Sequence, residues 1–368
     1  MGKSLIEIAQ QLKDSNKKVQ LMYGFNGNGK TRLSKEFRLL VAPKNDTETD
    51  ETGLASKKII YYNAFTEDLF YWDNDLANDI DLKLKIHPNS FTEWVLNEQG
   101  QDQNVISHFQ NYTDRRLTPK FNSDYSEVTF SYERGNEESS PNIKISKGEE
   151  SSFVWSVFYS LLKQVIDVLN VAEPSERETD KLNQLEYVFI DDPVTSLDDN
   201  HLIQLAVDLA HLIKKSDSGL KFVITTHNPI FYNVLYNEIN KKTCYMLGRQ
   251  EDGTFELEEK PGDSNKSFSY HLHLKKTIEE AIENNQVQKY HFTLLRNLYE
   301  KTASFLGFRE WSDLLPDNKQ TYYNRIIQFT SHSTLADSSA AEPSPQEKQT
   351  VRLLFDHLIN NYSFRKEA

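Results

Sequence analysis

The sequence predicts an α/β fold, a phosphate-binding domain on a mixed sheet with a helical lobe, followed by a mainly α-helical region. Three observations predict it. First, Gly24-Phe25-Asn26-Gly27-Asn28-Gly29-Lys30-Thr31 has the spacing G-x-x-x-x-G-K-[ST], with the apolar run Val19–Tyr23 before it and a helical pattern, Thr31–Phe37, after it. Second, the apolar runs Leu185–Ile190 and Lys221–Thr225 alternate with helical patterns over Asn200–Lys214 and Phe231–Asn240, as buried strands joined by helices do. Third, strand patterns stop after residue 258 and helical periodicity runs on to the end.

The elements follow in order. Residues 1–40 read as helix, strand, phosphate loop and helix. Residues 41–57 are polar and acidic and read as a surface loop. Lys58–Asn63 is a strand, and 65–110 is helical or mixed. Glu127–Tyr132 alternates with period two, a strand, and the polar stretch Arg134–Pro141 is a turn. Ile143–Ile145 is expected as a short strand and Glu149–Leu169 as a helix. Near residue 245 the character changes. A strand pair, Thr243–Leu247 and Thr254–Glu258, leads to the polar run Pro261–Ser267. Ser331–Gln346, rich in Ser, Ala and Pro, reads as a loop. The domains are therefore expected at 1–245, with an insert at about 65–145, and at 246–368. No internal repeat or sustained heptad run is visible.

The 368 residues suffice for two domains, and 38% hydrophobic with 26% charged residues fits a folded protein. A single cysteine, Cys244, excludes an internal disulfide, and no Cys/His zinc spacing occurs. A reducing cytoplasm is the simple inference. No apolar run is expected to span a bilayer, so no membrane is expected. The net charge of −13 argues against a nucleic-acid partner, but its distribution softens that argument. Residues 241–368 hold 17 Lys/Arg and 18 Asp/Glu, so the acidic surplus belongs to the phosphate-binding part.

In the loop, Gly24, Gly27 and Gly29 let backbone N–H groups close around phosphates, with Asn26, Asn28 and Arg32 alongside. Lys30 reaches the β- and γ-phosphates, and the Thr31 hydroxyl can ligate Mg²⁺. Tyr187–Asp192 is an apolar strand ending in two carboxylates, of which Asp191 would hold Mg²⁺ directly or through water. Ser196-Leu197-Asp198 lies just beyond, His227 follows the next strand, and Ile145-Ser146-Lys147-Gly148-Glu149 opens a helix upstream.

In this order the set resembles the ATP-binding-cassette (ABC) ATPases. That resemblance implies a head-to-tail homodimer, in which the signature Ser146, Lys147, Gly148 and Glu149 of one subunit closes over nucleotide held by the other. Ser196 and Asp198 are then the D-loop that follows the Asp191–Asp192 strand. Two departures stand out. Asp192 occupies the position of the usual glutamate that polarises water, so hydrolysis is expected to be slow, or the water is placed by His227. Only 23 residues precede Gly24, too few for the usual N-terminal sheet and its base-stacking aromatic, so ATP and GTP are equally open. Asn63 either replaces the Mg²⁺-sensing glutamine or ends a strand. The 116 residues from Lys30 to Ser146 exclude long coiled-coil arms.

In the C-terminal region Arg296 and Glu300 stand four apart and share a helix face, with Leu294, Leu295, Leu298 and Phe305 expected as its apolar side. His332 lies downstream of a helix over Tyr322–Gln328. An Arg, a carboxylate and a His can cleave RNA without metal. His or Glu takes the 2′-OH proton, the 2′-oxygen attacks phosphorus, the other group protonates the leaving 5′-oxygen, and Arg stabilises the charge. Such a pair is also the usual form of a solvated salt bridge.

The start Met1–Ala9, the loop Tyr23–Thr31, the run Asp191–Asp198 and the Arg296/Glu300/His332 set together resemble the PrrC anticodon nucleases, over nearly the whole chain. The resemblance implies that Arg296, Glu300 and His332 form the active site of a HEPN-like helical domain. It also implies a recognition segment near 259–268, where Asp263 and Ser264 would meet the anticodon base, although Pro-Gly-Asp is also an ordinary turn. The implied function is cleavage of a tRNA, the lysine tRNA foremost, beside the wobble base, leaving a 2′,3′-cyclic phosphate and a 5′-hydroxyl. This would stop translation as a toxin in antiphage defence. A type I restriction–modification complex would silence it, and nucleotide at a cassette dimer, or a higher even oligomer, would release it. Two other readings stay open on the residues: a nucleic-acid-binding ATPase such as a DNA-end sensor, and an ATP-driven interaction switch without nuclease chemistry.

Overall fold

The computed structural model describes residues 2–43, 57–63, 69–74, 82–132, 142–194, 197–250, 252–260, 270–316, 319–330, 343–362 and 364. The chain divides into two compact units, Met1–Ser264 and Asn265–Ala368. The division therefore falls beyond the change of character near 245, because the strand containing residue 245 and its hairpin partner both belong to the first unit's sheet.

Helix α1 (Leu5–Asp14) starts at a capping box in which Ser4 Oγ accepts from Glu7 N–H and the Glu7 carboxylate accepts from Ser4 N–H. It buries Leu5, Ile8, Ala9 and Leu12 at helical spacing. Strand β1 (Val19–Tyr23), buried throughout, feeds the glycine loop and helix α2 (Lys30–Val41). Strand β2 spans Ile59–Asn63. Between it and the next long helix the insert is more β than expected. Strands β3 (Phe70–Asp73), β4 (Lys83–Ile86), β5 (Leu117–Phe121) and β6 (Glu127–Tyr132) form an antiparallel sheet in the order β3-β4-β6-β5. Helix α3 (Asp102–Tyr112) packs beside it. Residues 143–145 are not a strand. One backbone bond, Ile143 N–H to Phe130 carbonyl, tethers them before the chain turns into the cap of the next helix.

Helix α4 (Lys147–Leu169) is apolar on nearly every side because it lies between the two sheets. Phe153 packs edge-on against Phe70 and Phe130, and Phe158 stacks on Tyr62 of β2 at 4.4 Å. Contrary to expectation, this run is long and apolar enough to cross a bilayer, but 78% of its most apolar window is buried inside the unit, as in a core helix.

Strand β7 (Tyr187–Asp191), helix α5 (Asp199–Lys215), strand β8 (Lys221–Thr226) and helix α6 (Pro229–Glu238) are the two crossover units expected from the sequence. Strands β9 (Lys242–Arg249) and β10 (Phe255–Glu259) form an antiparallel hairpin. The main sheet has the order β10-β9-β1-β8-β7-β2, parallel except for β10. In its register Tyr23 faces Thr226, and Asp191 faces Thr225 and Asn63. The carboxyl ends of β1, β2, β7 and β8 thus share one edge, where ligands of open α/β sheets bind.

The second unit is helical, with α7 (Tyr270–Glu283), α8 (Tyr290–Leu306), α9 (Lys319–Thr330) and α10 (Pro345–Asn361). Leu295, Leu298 and Tyr299 of α8 meet Leu274, Ile278, Leu354 and Leu358 in its core. Phe305 does not join them. It lies 90% exposed one residue from the helix end, where Gly307 takes φ 79 and turns the chain away. Helix α10 begins at Pro345, inside the stretch read as loop, with Ser344 as its cap.

Candidate functional site

The glycine loop is shaped by two left-handed residues, Gly27 (φ 85) and Gly29 (φ 86), and by anchors at both ends. Gly24 N–H donates to the Thr226 carbonyl at 3.0 Å, and the Asn28 amide donates to the Leu247 carbonyl at 3.0 Å. Lys30 is buried at the start of α2. Its ammonium donates to the Gly24 and Phe25 carbonyls at 2.9 and 3.3 Å and to Asn26 Oδ1 at 3.5 Å, and lies 3.3 Å from Asp192 Oδ2. A buried cation aimed back across the loop is what a phosphate would need.

Asp191 ends β7 and is 2% exposed. Its carboxylate accepts from the Thr225 hydroxyl at 2.6 Å, the Tyr61 hydroxyl at 3.2 Å and the Thr31 hydroxyl. Burial raises its pKa in spite of these donors, with the Asp192 charge adding to the rise. An all-oxygen pair, the Asp191 carboxylate and the Thr31 hydroxyl, fits Mg²⁺, and a divalent cation there would relieve the cost of the buried charge.

Asp192 turns out of the strand at φ 51, a left-handed conformation that Asp tolerates better than most residues. Its N–H donates to the Thr225 carbonyl at 2.9 Å. Its carboxylate meets His227 Nδ1 at 2.6 Å and accepts from His227 N–H at 3.2 Å. Burial works to raise its pKa, yet the bond from His227 and the Lys30 charge prevail and hold it below the usual aspartate range. Asp192, His227 and Lys30 thus form one contact cluster beside the loop. Asn63 is also at this edge. Its amide donates to the Tyr61 hydroxyl at 3.2 Å, and Ser34 Oγ donates to the same oxygen at 3.3 Å, linking β2, α2 and β7.

Ser146 caps α4 in a capping box. Its hydroxyl accepts from Glu149 N–H at 3.3 Å, and its N–H donates to Glu149 Oε2 at 2.7 Å. Lys147 pairs with the buried Glu150 at 3.1 Å. Asp198 caps α5, accepting from Asn200 and His201 N–H at 3.0 Å each. Those backbone bonds, with the His201 side chain, lower its pKa. Ser196 lies outside the described residues.

In the second unit, Arg296 and Glu300 meet on one face of α8, Nε to Oε1 at 2.8 Å, with side chains 32% and 39% exposed. The guanidinium also lies 6.0 Å from the ring centroid of Trp311. His332, Asp263 and Ser264 lie outside the described residues.

No family model matches the chain. The curated anticodon nuclease of Escherichia coli is 62% identical over 388 aligned residues, covering 99% of this chain and 98% of its own length. The chain belongs to the anticodon nuclease family. Membership makes it an endoribonuclease. Among solved structures, the Smc head bound to the C-terminal winged-helix domain of ScpA is 10% identical, covers 69% of this chain and 93% of its own, and gives a TM-score of 0.36. The SMC head domain from Thermotoga maritima is 11% identical over 67% and 92%, with a TM-score of 0.31. The strands, loop and crossovers of this anticodon nuclease are themselves consistent with an ABC-type P-loop ATPase fold.

The fold of this family member brings Gly24–Thr31, Asp191, Asp192, His227 and Asn63 to one sheet edge. Sequence reasoning missed Tyr61, whose hydroxyl joins Asp191, Ser34 and Asn63. Period-two alternation places Tyr61 on the face of Asn63, a signal that was present. It also missed Phe255, which packs under Gly29 from β10 across more than 200 residues of sequence, and nothing local announces that contact.

Proposed function

We propose that this anticodon nuclease cuts a tRNA, the lysine tRNA foremost, beside its wobble base under the control of ATP or GTP with Mg²⁺. The observation that carries the reading is the Arg296–Glu300 pair, presented half-exposed on one face of α8 in a chain that matches an anticodon nuclease along its length. Arg296, Glu300 and His332 are the proposed active site of a HEPN-like domain. The 2′-OH proton passes to Glu300 or His332, the 2′-oxygen bonds to phosphorus, and the P–O5′ bond breaks as the other group protonates the 5′-oxygen. Arg296 balances the charge that builds on the phosphoryl oxygens. The products are a 2′,3′-cyclic phosphate and a 5′-hydroxyl, and no metal is required.

At the other site Lys30, Thr31 and Asp191 would hold the triphosphate and its Mg²⁺, which supply charge neutralisation. His227, oriented by Asp192, would place the attacking water. Ser146–Glu149 and Asp198 of a second copy would complete the site in a head-to-tail dimer. Asp263 and Ser264 are the proposed anticodon contacts. Cytoplasmic antiphage defence, with silencing by a type I restriction–modification complex, is the proposed setting.

Sequencing RNA ends after induced expression tests the reading. Cuts at one anticodon position, lost in His332→Ala, Arg296→Ala and Glu300→Ala while nucleotide binding survives, are expected. Undiminished cleavage in all three variants, or no cleavage in the wild type, would overturn it.

A further inference from the structure

The phosphate loop has two flanks. On the β7–β8 side stand Asp191, Asp192 and His227, where the Mg²⁺ and γ-phosphate end of a nucleotide belongs. On the other side of β1 lie β9 and β10, and the loop leans on them. The Asn28 amide donates to the Leu247 carbonyl, and a Cβ built on Gly29 would come within 2.9 Å of Phe255 Cε1. The β10 hairpin is held there by the chain's first residues, since Lys3 and Phe255 exchange both backbone hydrogen bonds, at 2.7 and 2.8 Å.

Arg32 stands on this second flank, one residue beyond Thr31. It is exposed, makes no ion pair among the described residues, and lays its guanidinium over the Phe255 ring at 5.8 Å. Phe255 itself is buried at 4% exposure, so its ring is a fixed support. A triphosphate whose γ end lies toward Asp192 has its nucleoside end directed away from the aspartates, toward β9–β10. A planar cation backed by an aromatic ring offers a flat face for a nucleobase.

We propose that Arg32, braced on Phe255, is the stacking platform for the purine of the nucleotide bound at Gly24–Thr31. The proposal rests on the nucleotide reading of that loop and adds where the base is held. It assigns the base contact to a guanidinium on α2 and an aromatic from the β9–β10 hairpin.

The test is equilibrium binding of ATP, GTP and inorganic triphosphate, each with Mg²⁺, to the full chain and to Arg32→Ala and Lys30→Ala. Arg32→Ala is expected to melt as the wild type does. It should bind ATP and GTP about three- to thirtyfold more weakly and inorganic triphosphate unchanged. Equal weakening of all three would mean that Arg32 acts only as a charge on phosphate, and no weakening would mean that it does not touch the ligand. Either result overturns the platform alone. Should the wild type bind none of the probes, or Lys30→Ala bind inorganic triphosphate normally, the reading of the loop fails and the platform falls with it.

Discussion

Replacing Gly29 by alanine probes how tightly the phosphate loop is seated on β10. Gly29 has φ 86 and ψ 16, so any L-residue there is strained by about 1–2 kcal/mol. The added methyl would also sit 2.9 Å from Phe255 Cε1 and 3.3 Å from its Cζ. Phe255 is buried and braced by the Lys3 bridge, so the ring cannot swing aside cheaply, and overpacking adds about 1–3 kcal/mol. Gly27→Ala is the control. Its φ is 85, but no atom lies within 4 Å of the new carbon, so only the backbone term of about 1–2 kcal/mol applies. Calorimetric melting of the ligand-free chain should place Gly29→Ala below Gly27→Ala by about 2–4 °C for each kcal/mol of difference. Adding Phe255→Leu should narrow that gap by a coupling of about 0.5–3 kcal/mol. Equal melting of the two alanine variants, or a gap indifferent to Phe255→Leu, would refute the packing argument.

Tyr61→Phe keeps the ring that lies 4.5 Å from the Arg38 guanidinium but removes the hydroxyl shared by Asp191, Ser34 and Asn63. Nucleotide binding should then need about tenfold more Mg²⁺, as a Mg²⁺ titration would show. Arg296→Lys keeps the charge but loses the Nε bond to Glu300, and single-turnover tRNA cleavage should fall about 10²- to 10³-fold with nucleotide affinity unchanged. Asp192 has a depressed pKa, so its stabilisation is full above the ordinary aspartate value of about 3.9 and is lost as pH falls through the depressed one. Asp192→Asn should flatten acid unfolding below about pH 4, followed by circular dichroism. Asp191 has the opposite sign. Its raised pKa favours the fold below the ordinary value, and that gain disappears as pH rises through the raised one.

Where local chemistry decides structure, the sequence was readable. The glycine loop, β7 ending at Asp191, the crossover helices and the helix opening at Ser146 all announce themselves within a few residues, whereas the Ser344 cap was hidden in a stretch whose Ser, Ala and Pro content reads as loop. Where long-range pairing decides, it was not. β5 carries Pro119, which argues against a strand, yet β5 lies at the edge of its sheet, where a missing donor is tolerated. Ile143-Lys144-Ile145 alternates as a strand does, but a single backbone bond to Phe130 does not make a ladder. The Asp192–His227–Lys30 cluster was legible as separate motifs. The contact that binds them depends on the turn at Asp192, which no neighbour in sequence dictates. Phe305 has the spacing of a core residue but sits where α8 ends and leaves the core behind.

Strand β1 is made early and completed late. Both of its partners, β8 and β9, come from residues 221–249, so the strand that launches the glycine loop waits for some 200 residues before either edge is paired. During synthesis the loop can gain its shape only once the hairpin of β9 and β10 has left the ribosome, and the segment at Lys3 must still be available to clasp it. By then the first helix of the second unit is next to emerge. Translation order therefore gives the unit that carries the glycine loop the strands of its main sheet before any of the α8 residues exist as folded chain.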